Sequence, residues 1–320
     1  MINKYQIKRG KTFECGICPY HCILSPGDIG KCLIRECSKD GIHLEGYGRV
    51  SSMVVDPIEK KPIFHYKPNS KVLSIGAWGC NLNCSWCENT SISKKKPNNC
   101  KYFSASAISH MAQVRRCQGV CFTYNEPSIS YEFLMDVSEK CRESGLFFAI
   151  KTNGFVEKEP WKEICDACDA MNIDWKIRYD GFSEAIDYSR IVIKNIESAI
   201  ENKKLHVELS IPIYNDMTTA EQDGIIRFLG IGYPNIPVHL LKISPTGQYS
   251  NPPVDDEAIL SFRNKLMEKS QFIYVENVFT EEGKCARNTI CPECKNIVAV
   301  REALVTTVNL KCGTCKSILK

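Results

Sequence analysis

From about residue 71 onward, short apolar runs alternate with longer stretches in which apolar positions return every three to four residues. The runs Lys71–Gly76, Gly119–Thr123, Phe147–Thr152, Ala170–Lys176, Leu205–Ile211, Pro237–Ile243 and Phe272–Val278 read as strands. Between them, Ile129–Ser144, Glu159–Cys168, Ile191–Asn202, Thr219–Gly230 and Asp255–Ser270 read as helices. This order predicts an α/β fold: a parallel sheet with crossover helices that closes, wholly or in part, into a barrel. Its active site then belongs at the carboxyl ends of the strands. Before residue 71 the text is rich in Cys, Gly and Pro, and after about residue 284 it becomes a short tail bracketed by cysteines. Each flank is too small to fold without a staple. Three regions are therefore expected: a Cys-rich metal-binding segment over 1–70, the barrel over 71–284 and a small ribbon-like domain over 285–320.

Composition narrows the class. With 43% hydrophobic and 24% charged residues the chain reads as an ordinary globular protein, and no apolar run approaches the ~18 residues a membrane span needs. The first residues, MINKYQIKRG, show no apolar core of an export signal, so a cytoplasmic location is expected. Lys and Arg exceed Asp and Glu by 41 to 37, too slight an excess to argue for nucleic acid or a membrane surface as partner. The 19 cysteines change the picture, because their number is odd and they cluster; without an export signal, metal ligands or reduced thiols are expected rather than a disulfide framework.

The central cluster follows the first strand as Gly79-Cys80-Asn81-Leu82-Asn83-Cys84-Ser85-Trp86-Cys87. Three thiolates on one tight loop can ligate three irons of a 4Fe-4S cluster and leave the fourth iron open for chemistry. The plainer alternative is a zinc knuckle that borrows a distant fourth cysteine. At the N-terminus, Cys15, Cys18, Cys22 and Cys32 offer four sulfurs, with His21 and Cys37 as substitutes. These suit tetrahedral zinc or an auxiliary iron–sulfur cluster. At the C-terminus, Cys291, Cys294, Cys312 and Cys315 form two CxxC knuckles near zinc-ribbon spacing, which suits one closed structural zinc. Cys165 and Cys168 read as buried helix thiols, and Cys285 has no assignment.

The CxxxCxxC triplet with an aromatic residue before its last cysteine resembles the radical S-adenosylmethionine (SAM) superfamily. Asp56-Pro57-Ile58-Glu59-Lys60-Lys61-Pro62, Cys87-Glu88-Asn89 and Thr123-Tyr124-Asn125-Glu126-Pro127 are similar to the pyruvate formate-lyase activating enzyme group, with the AmmeMemoRadiSam branch nearest. The resemblance implies a partial (β/α)6-type barrel and an oxidoreductase, oxygen-sensitive and working anaerobically. In it a 4Fe-4S cluster on Cys80, Cys84 and Cys87 cleaves SAM to methionine and a 5'-deoxyadenosyl radical. It places Trp86 near the adenine, Asn125 and Glu126 at the SAM amino group, and Thr152, Asn153, Asp174 and Lys176 along the methionyl and ribose face. Ser210 and His239 would face the ribose or substrate, although a lone His is more often structural. Many activating enzymes carry an aspartate before Thr-Asn-Gly that helps hold a monovalent cation. Here Lys151 stands in that position, and its ammonium is expected to pair with Asp174 in the cation's place. The implied partners are a reductase such as flavodoxin or ferredoxin and a radical acceptor, either a glycyl radical enzyme or another protein, a peptide or a small molecule. A non-catalytic electron-transfer or scaffold protein is the reading from another class. Nucleic acid is not among the expected partners.

Overall fold

In the computed structural model, residues 2–177, 187–246, 249–301 and 311–317 are described. The N-terminal segment builds a three-stranded antiparallel sheet, β1 (Gln6–Arg9), β2 (Thr12–Cys15) and β3 (Ile23–Leu24), followed by the hairpin β4 (Arg35–Ser38) and β5 (Gly41–Leu44). After β6 (Arg49–Val50), the strand β7 (Ser52–Pro57) enters the main sheet antiparallel to β8 (Lys71–Gly76). The expected boundary at residue 70 therefore falls inside the sheet, because the edge of β8 takes up β7 as a ladder partner.

The rest follows the strand–helix alternation. After β8 come α1 (Thr90–Ser93), β9 (Lys101–Tyr102, paired back to β6) and α2 (Ala105–Val114). Then follow β10 (Gly119–Phe122), α3 (Tyr131–Glu143), β11 (Phe147–Thr152), α4 (Lys158–Ala167), β12 (Ala170–Asp174) and α5 (Tyr188–Glu201). The series ends with β13 (His206–Ile213), α6 (Thr219–Arg227), β14 (Val238–Lys242), α7 (Asp256–Met267) and β15 (Ile273–Glu276). Helix α3 shows why such segments pack: Tyr131, Leu134, Val137 and Cys141 are buried on one stripe against the sheet. The sheet order is β15-β14-β13-β12-β11-β10-β8-β7, parallel except at the β7 edge. All seven predicted strands join this parallel sheet, one more than the (β/α)6 pattern that the resemblance implies. No helix among the described residues is long and apolar enough to cross a membrane.

Register fixes what lines the barrel. Asp174 lies beside Ser210, Ser210 beside His239 and His239 beside Tyr274. Side chains alternate along a strand, so Asn172, Asp174, Glu208, Ser210, His239 and Tyr274 share one face. The amino end of the strands is closed by the segment around Pro62 to His65. The amides of Phe64 and His65 donate to Glu208 Oε1 at 2.7 and 2.6 Å, and Asn172 Nδ2 donates to the Pro62 carbonyl at 2.7 Å. After α8 (Glu281–Cys285), the C-terminal ribbon with β16 (Thr289–Ile290) and β17 (Ile297–Ala299) packs here too. Phe64, Phe272 and Tyr274 form a cluster with Cys291 and Cys312.

Candidate active site

The triplet loop leaves β8 at the carboxyl end of the sheet, and its path is set by backbone contacts. Gly79 has φ +78°, and a Cβ there would lie 2.1 Å from the Cys32 carbonyl oxygen, so only glycine fits. Asn125, at the end of β10, accepts from the Ala77 amide at 3.0 Å and donates to the Trp78 and Gly79 carbonyls at 3.1 Å each. Asn81, inside the motif, donates to the Phe155 carbonyl at 2.7 Å and accepts from Asn153 Nδ2 at 2.8 Å. Cys80 Sγ receives the Leu82 amide at 3.3 Å, and Cys87 Sγ lies 3.2 Å from Ser93 Oγ.

The three thiols share one loop but are not drawn onto one point. Among the described residues, only the ribbon cysteines form a group whose ligand atoms all lie within 4.8 Å of one another. The wider triplet suits separate irons of a cluster rather than a single ion. Burial pushes the Cys80 thiol well above its ordinary range, and the Glu126 carboxylate adds to this. Burial likewise raises Cys84, while Lys176 opposes it. Metal coordination is what deprotonates such thiols.

Facing the triplet are the ends of β10 to β13. Glu126 is 2% exposed. Its Oε1 accepts from Thr152 Oγ1 at 2.6 Å and the Ser128 amide at 3.0 Å, and its Oε2 accepts from the Asn153 amide at 2.8 Å. Burial raises its pKa, and these three donors pull the other way. Asp174 sits between two ammoniums: Lys151 Nζ is 2.5 Å from one oxygen and Lys176 Nζ 3.3 Å from the other. Burial works to raise the Asp174 carboxyl, yet the two lysines hold it below its usual range. Lys151 also donates to Asn172 at 2.8 Å and Ser210 at 3.3 Å. The pairing of Lys151 with Asp174 is thus as expected from the sequence. Trp86 stands edge-on to Tyr214, ring centroids 4.9 Å apart, with Tyr249 at 6.2 Å.

Not every expected residue joins this group. The Asn125 amide is engaged in clamping the triplet loop, so it positions cysteines rather than facing outward. His239 has no exposed surface; its Nε2 meets Glu208 at 2.7 Å and its ring stacks on Tyr274. It belongs to the network that closes the amino end of the barrel, whereas Ser210, one ladder position away, bonds Asn172 at 2.8 Å beside Lys151. Glu208, Asn81 and Tyr214 were not singled out from the sequence. Asn81 carried a signal, lying inside the triplet, but a carboxylate buried by residues 144 positions away carries none. The motifs Asp56–Pro62 and Thr123–Pro127 do meet: Tyr124, at φ +72°, donates to Asp56 at 3.1 Å, and Lys61 bonds Asp56 at 2.9 Å while lying over the Tyr124 ring.

At the opposite end, the four ribbon sulfurs form a compact group, with Cys291 and Cys315 3.6 Å apart and Cys294 and Cys312 3.4 Å apart. Bonds of ~2.3 Å to a tetrahedral zinc imply sulfur pairs at ~3.8 Å, so the donor set fits zinc. Left-handed Lys295 and Lys316 shape the two knuckles alike. Cys165 and Cys168 are buried in the main core, as expected of structural thiols.

The comparisons with known proteins agree with this geometry. The sequence model of the radical SAM superfamily matches residues 77–229. Protein MJ0808 of Methanocaldococcus jannaschii is 34% identical over 321 residues, covering 95% of this chain and 92% of that one. The 4-hydroxyphenylacetate decarboxylase activating enzyme of Clostridium scatologenes is 32% identical over 82 residues, 25% of this chain and 26% of its own. A radical SAM methyltransferase from Sphaerobacter thermophilus shares the fold with a TM-score of 0.50 at 16% identity, over 66% of this chain and 67% of that one. The family match begins at the loop that carries the three thiols and runs through the strands that face it, and the chain belongs to the radical SAM superfamily.

Proposed function

We propose that this protein is a SAM-cleaving enzyme of the activating-enzyme type, whose acceptor is a glycine of a partner glycyl radical protein. When bound, the cluster on Cys80, Cys84 and Cys87 supplies one electron to SAM, releasing methionine and a 5'-deoxyadenosyl radical that takes a hydrogen atom from the acceptor. The observation that carries this reading is the apposition of Glu126 to the triplet through Asn153, whose amide donates to Glu126 at 2.8 Å while its Nδ2 lies 3.8 Å from Cys80 Sγ, with the Asp174–Lys176 pair at the neighbouring strand end. Glu126 accepts three hydrogen bonds, which leaves one of a carboxylate's roughly four lone-pair sites for the SAM ammonium. Lys176, with Asp174 steadying it, offers its remaining donors to the SAM carboxylate. Trp86 and Tyr214 form an aromatic wall for the adenine and keep water from the reacting carbon. The reductant is a flavodoxin or ferredoxin, and the setting is the cytoplasm. The likeness to an activating enzyme over 82 residues supports the choice of acceptor.

Glu126→Gln and Lys176→Met test the pocket in anaerobically reconstituted protein. SAM affinity and 5'-deoxyadenosine formation should each fall at least ~10-fold, the worth of one charge-assisted hydrogen bond, while iron content stays the same. Unchanged SAM turnover in both would return the chain to the scaffold reading. A doublet glycyl signal in the partner would support the acceptor, and product formation on a small molecule or peptide alone would replace it.

A further inference from the structure

The N-terminal cysteines are unused by the SAM pocket. Cys15, Cys18, Cys22 and Cys32 line one pocket together with Tyr20 and Arg35. Cys15, Cys18 and Cys32 are buried, and Cys22 stands at the half-buried edge. The two candidate substitutes are occupied elsewhere: His21 lies 3.2 and 3.1 Å from Glu14 and Glu157, and Cys37 Sγ faces the Leu24 carbonyl at 3.5 Å. Four thiols are thus left to the site, the full protein complement of a four-iron cluster.

The spacing of those thiols decides what they hold. Zinc draws four sulfurs to ~3.8 Å from one another, as the ribbon cysteines stand, whereas a four-iron cube holds its four cysteine sulfurs ~6 Å apart. The ribbon is the one group among the described residues drawn within 4.8 Å, so no three of the N-terminal thiols are gathered that tightly. In this they match the Cys80, Cys84, Cys87 triplet. The surroundings suit a charged cluster as well. The Asn3 amide donates to Cys15 Sγ at 3.4 Å, and the buried Arg35 guanidinium lies beside Cys15 and Cys32 while paired with Glu132 at 2.8 Å. Hydrogen bonds and a nearby positive charge are the means by which a protein stabilises a cluster's negative charge. The site also adjoins the catalytic one: the Cys32 carbonyl packs on Gly79, next to Cys80, and Trp78 Nε1 donates to the Leu33 carbonyl at 3.1 Å.

We propose that Cys15, Cys18, Cys22 and Cys32 hold a second four-iron cluster, fully ligated by protein and set against the loop of the SAM-binding cluster, and that zinc is confined to the C-terminal ribbon. The assignment rests on the radical SAM reading only for the identity of the other cluster, and different variants test the two.

The experiment is iron, sulfide and zinc content with EPR after anaerobic reconstitution in the presence of zinc. About eight irons are expected in the wild type and about four in Cys80→Ala/Cys84→Ala/Cys87→Ala, each with one zinc. A triplet variant that folds, holds two zincs and no iron would overturn the proposal, and a wild type with about four irons would leave the radical SAM reading standing. Should the variant fail to fold, the reduced wild type decides. One cluster signal should shift on adding SAM, because its iron is open, and a second should stay unchanged. A spectrum that shifts as a whole would refute the second cluster.

Discussion

The ammonium of Lys151 is the most informative single group to remove. In Lys151→Met the chain keeps its length but Asp174 loses the contact at 2.5 Å, and Asn172 and Ser210 lose donors at 2.8 and 3.3 Å. A bare Coulomb figure at an effective dielectric of ~20 gives about 7 kcal/mol for a pair this close, an upper bound before desolvation is subtracted. Both side chains keep about a fifth of their surface, 22% and 23%, and hydrogen bonds to charged groups net about 1.5–3 kcal/mol, so about 2 kcal/mol is the working figure. The loss reaches SAM through Lys176. As the ammonium left on Asp174 among the described residues, it is drawn toward that carboxylate and away from the SAM carboxylate. SAM affinity should therefore fall roughly 30-fold. Potassium should restore much of it in the variant, by entering the vacated charge position, and should do little for the wild type. Titration calorimetry of reconstituted protein in sodium and potassium buffers, with iron content matched, measures both effects. A sharp potassium stimulation of the wild type, or a variant that binds SAM normally, would refute the idea that Lys151 serves in place of a bound cation.

Two further outcomes follow from the same geometry. Asn125→Ala removes three bonds that clamp Ala77 to Gly79, at about 1 kcal/mol each or more where a buried partner is orphaned. Iron bound at the triplet should become labile to a chelator while the ribbon keeps its zinc; undiminished iron retention would show the clamp to be dispensable. Asp56, held down to about 2 as Lys61 and Lys60 overcome the effect of burial, binds a proton more weakly folded than unfolded. Its contribution, about 2 kcal/mol, is fully present above pH ~4 and is lost as pH falls toward 2. Asp56→Asn should leave Lys61 buried without a counter-charge, lowering the unfolding midpoint at neutral pH, and the gap from wild type should close in acid. A constant gap across that range would assign the loss to packing instead.

Much of this protein is written locally in its sequence. The seven parallel strands lie within a residue or two of the apolar runs that predict them, because a buried strand needs consecutive apolar residues and a turn signal at each end. The CxxxCxxC triplet marks its own chemistry, since neighbouring thiols on a loop need no distant partner to be recognised. The Lys151–Asp174 pair was also legible, because the family resemblance puts Lys151 where related enzymes carry an aspartate that helps hold a cation, and a positive charge there needs the Asp174 carboxylate. What the sequence left open depended on contacts between residues far apart along the chain. Ser52–Pro57 shows no long periodic pattern and becomes a sheet strand only because β8 offers it an edge. That Asn125 clamps the triplet loop and that His239 packs against Glu208 was not legible either, because side-chain direction and burial are set by which elements pack over them. The four N-terminal thiols have the spacing of either metal in the sequence. Only the folded segments show that, among the described residues, it is the ribbon's four sulfurs that are drawn within 4.8 Å of one another, since a ligand set is defined by distances that no linear spacing encodes.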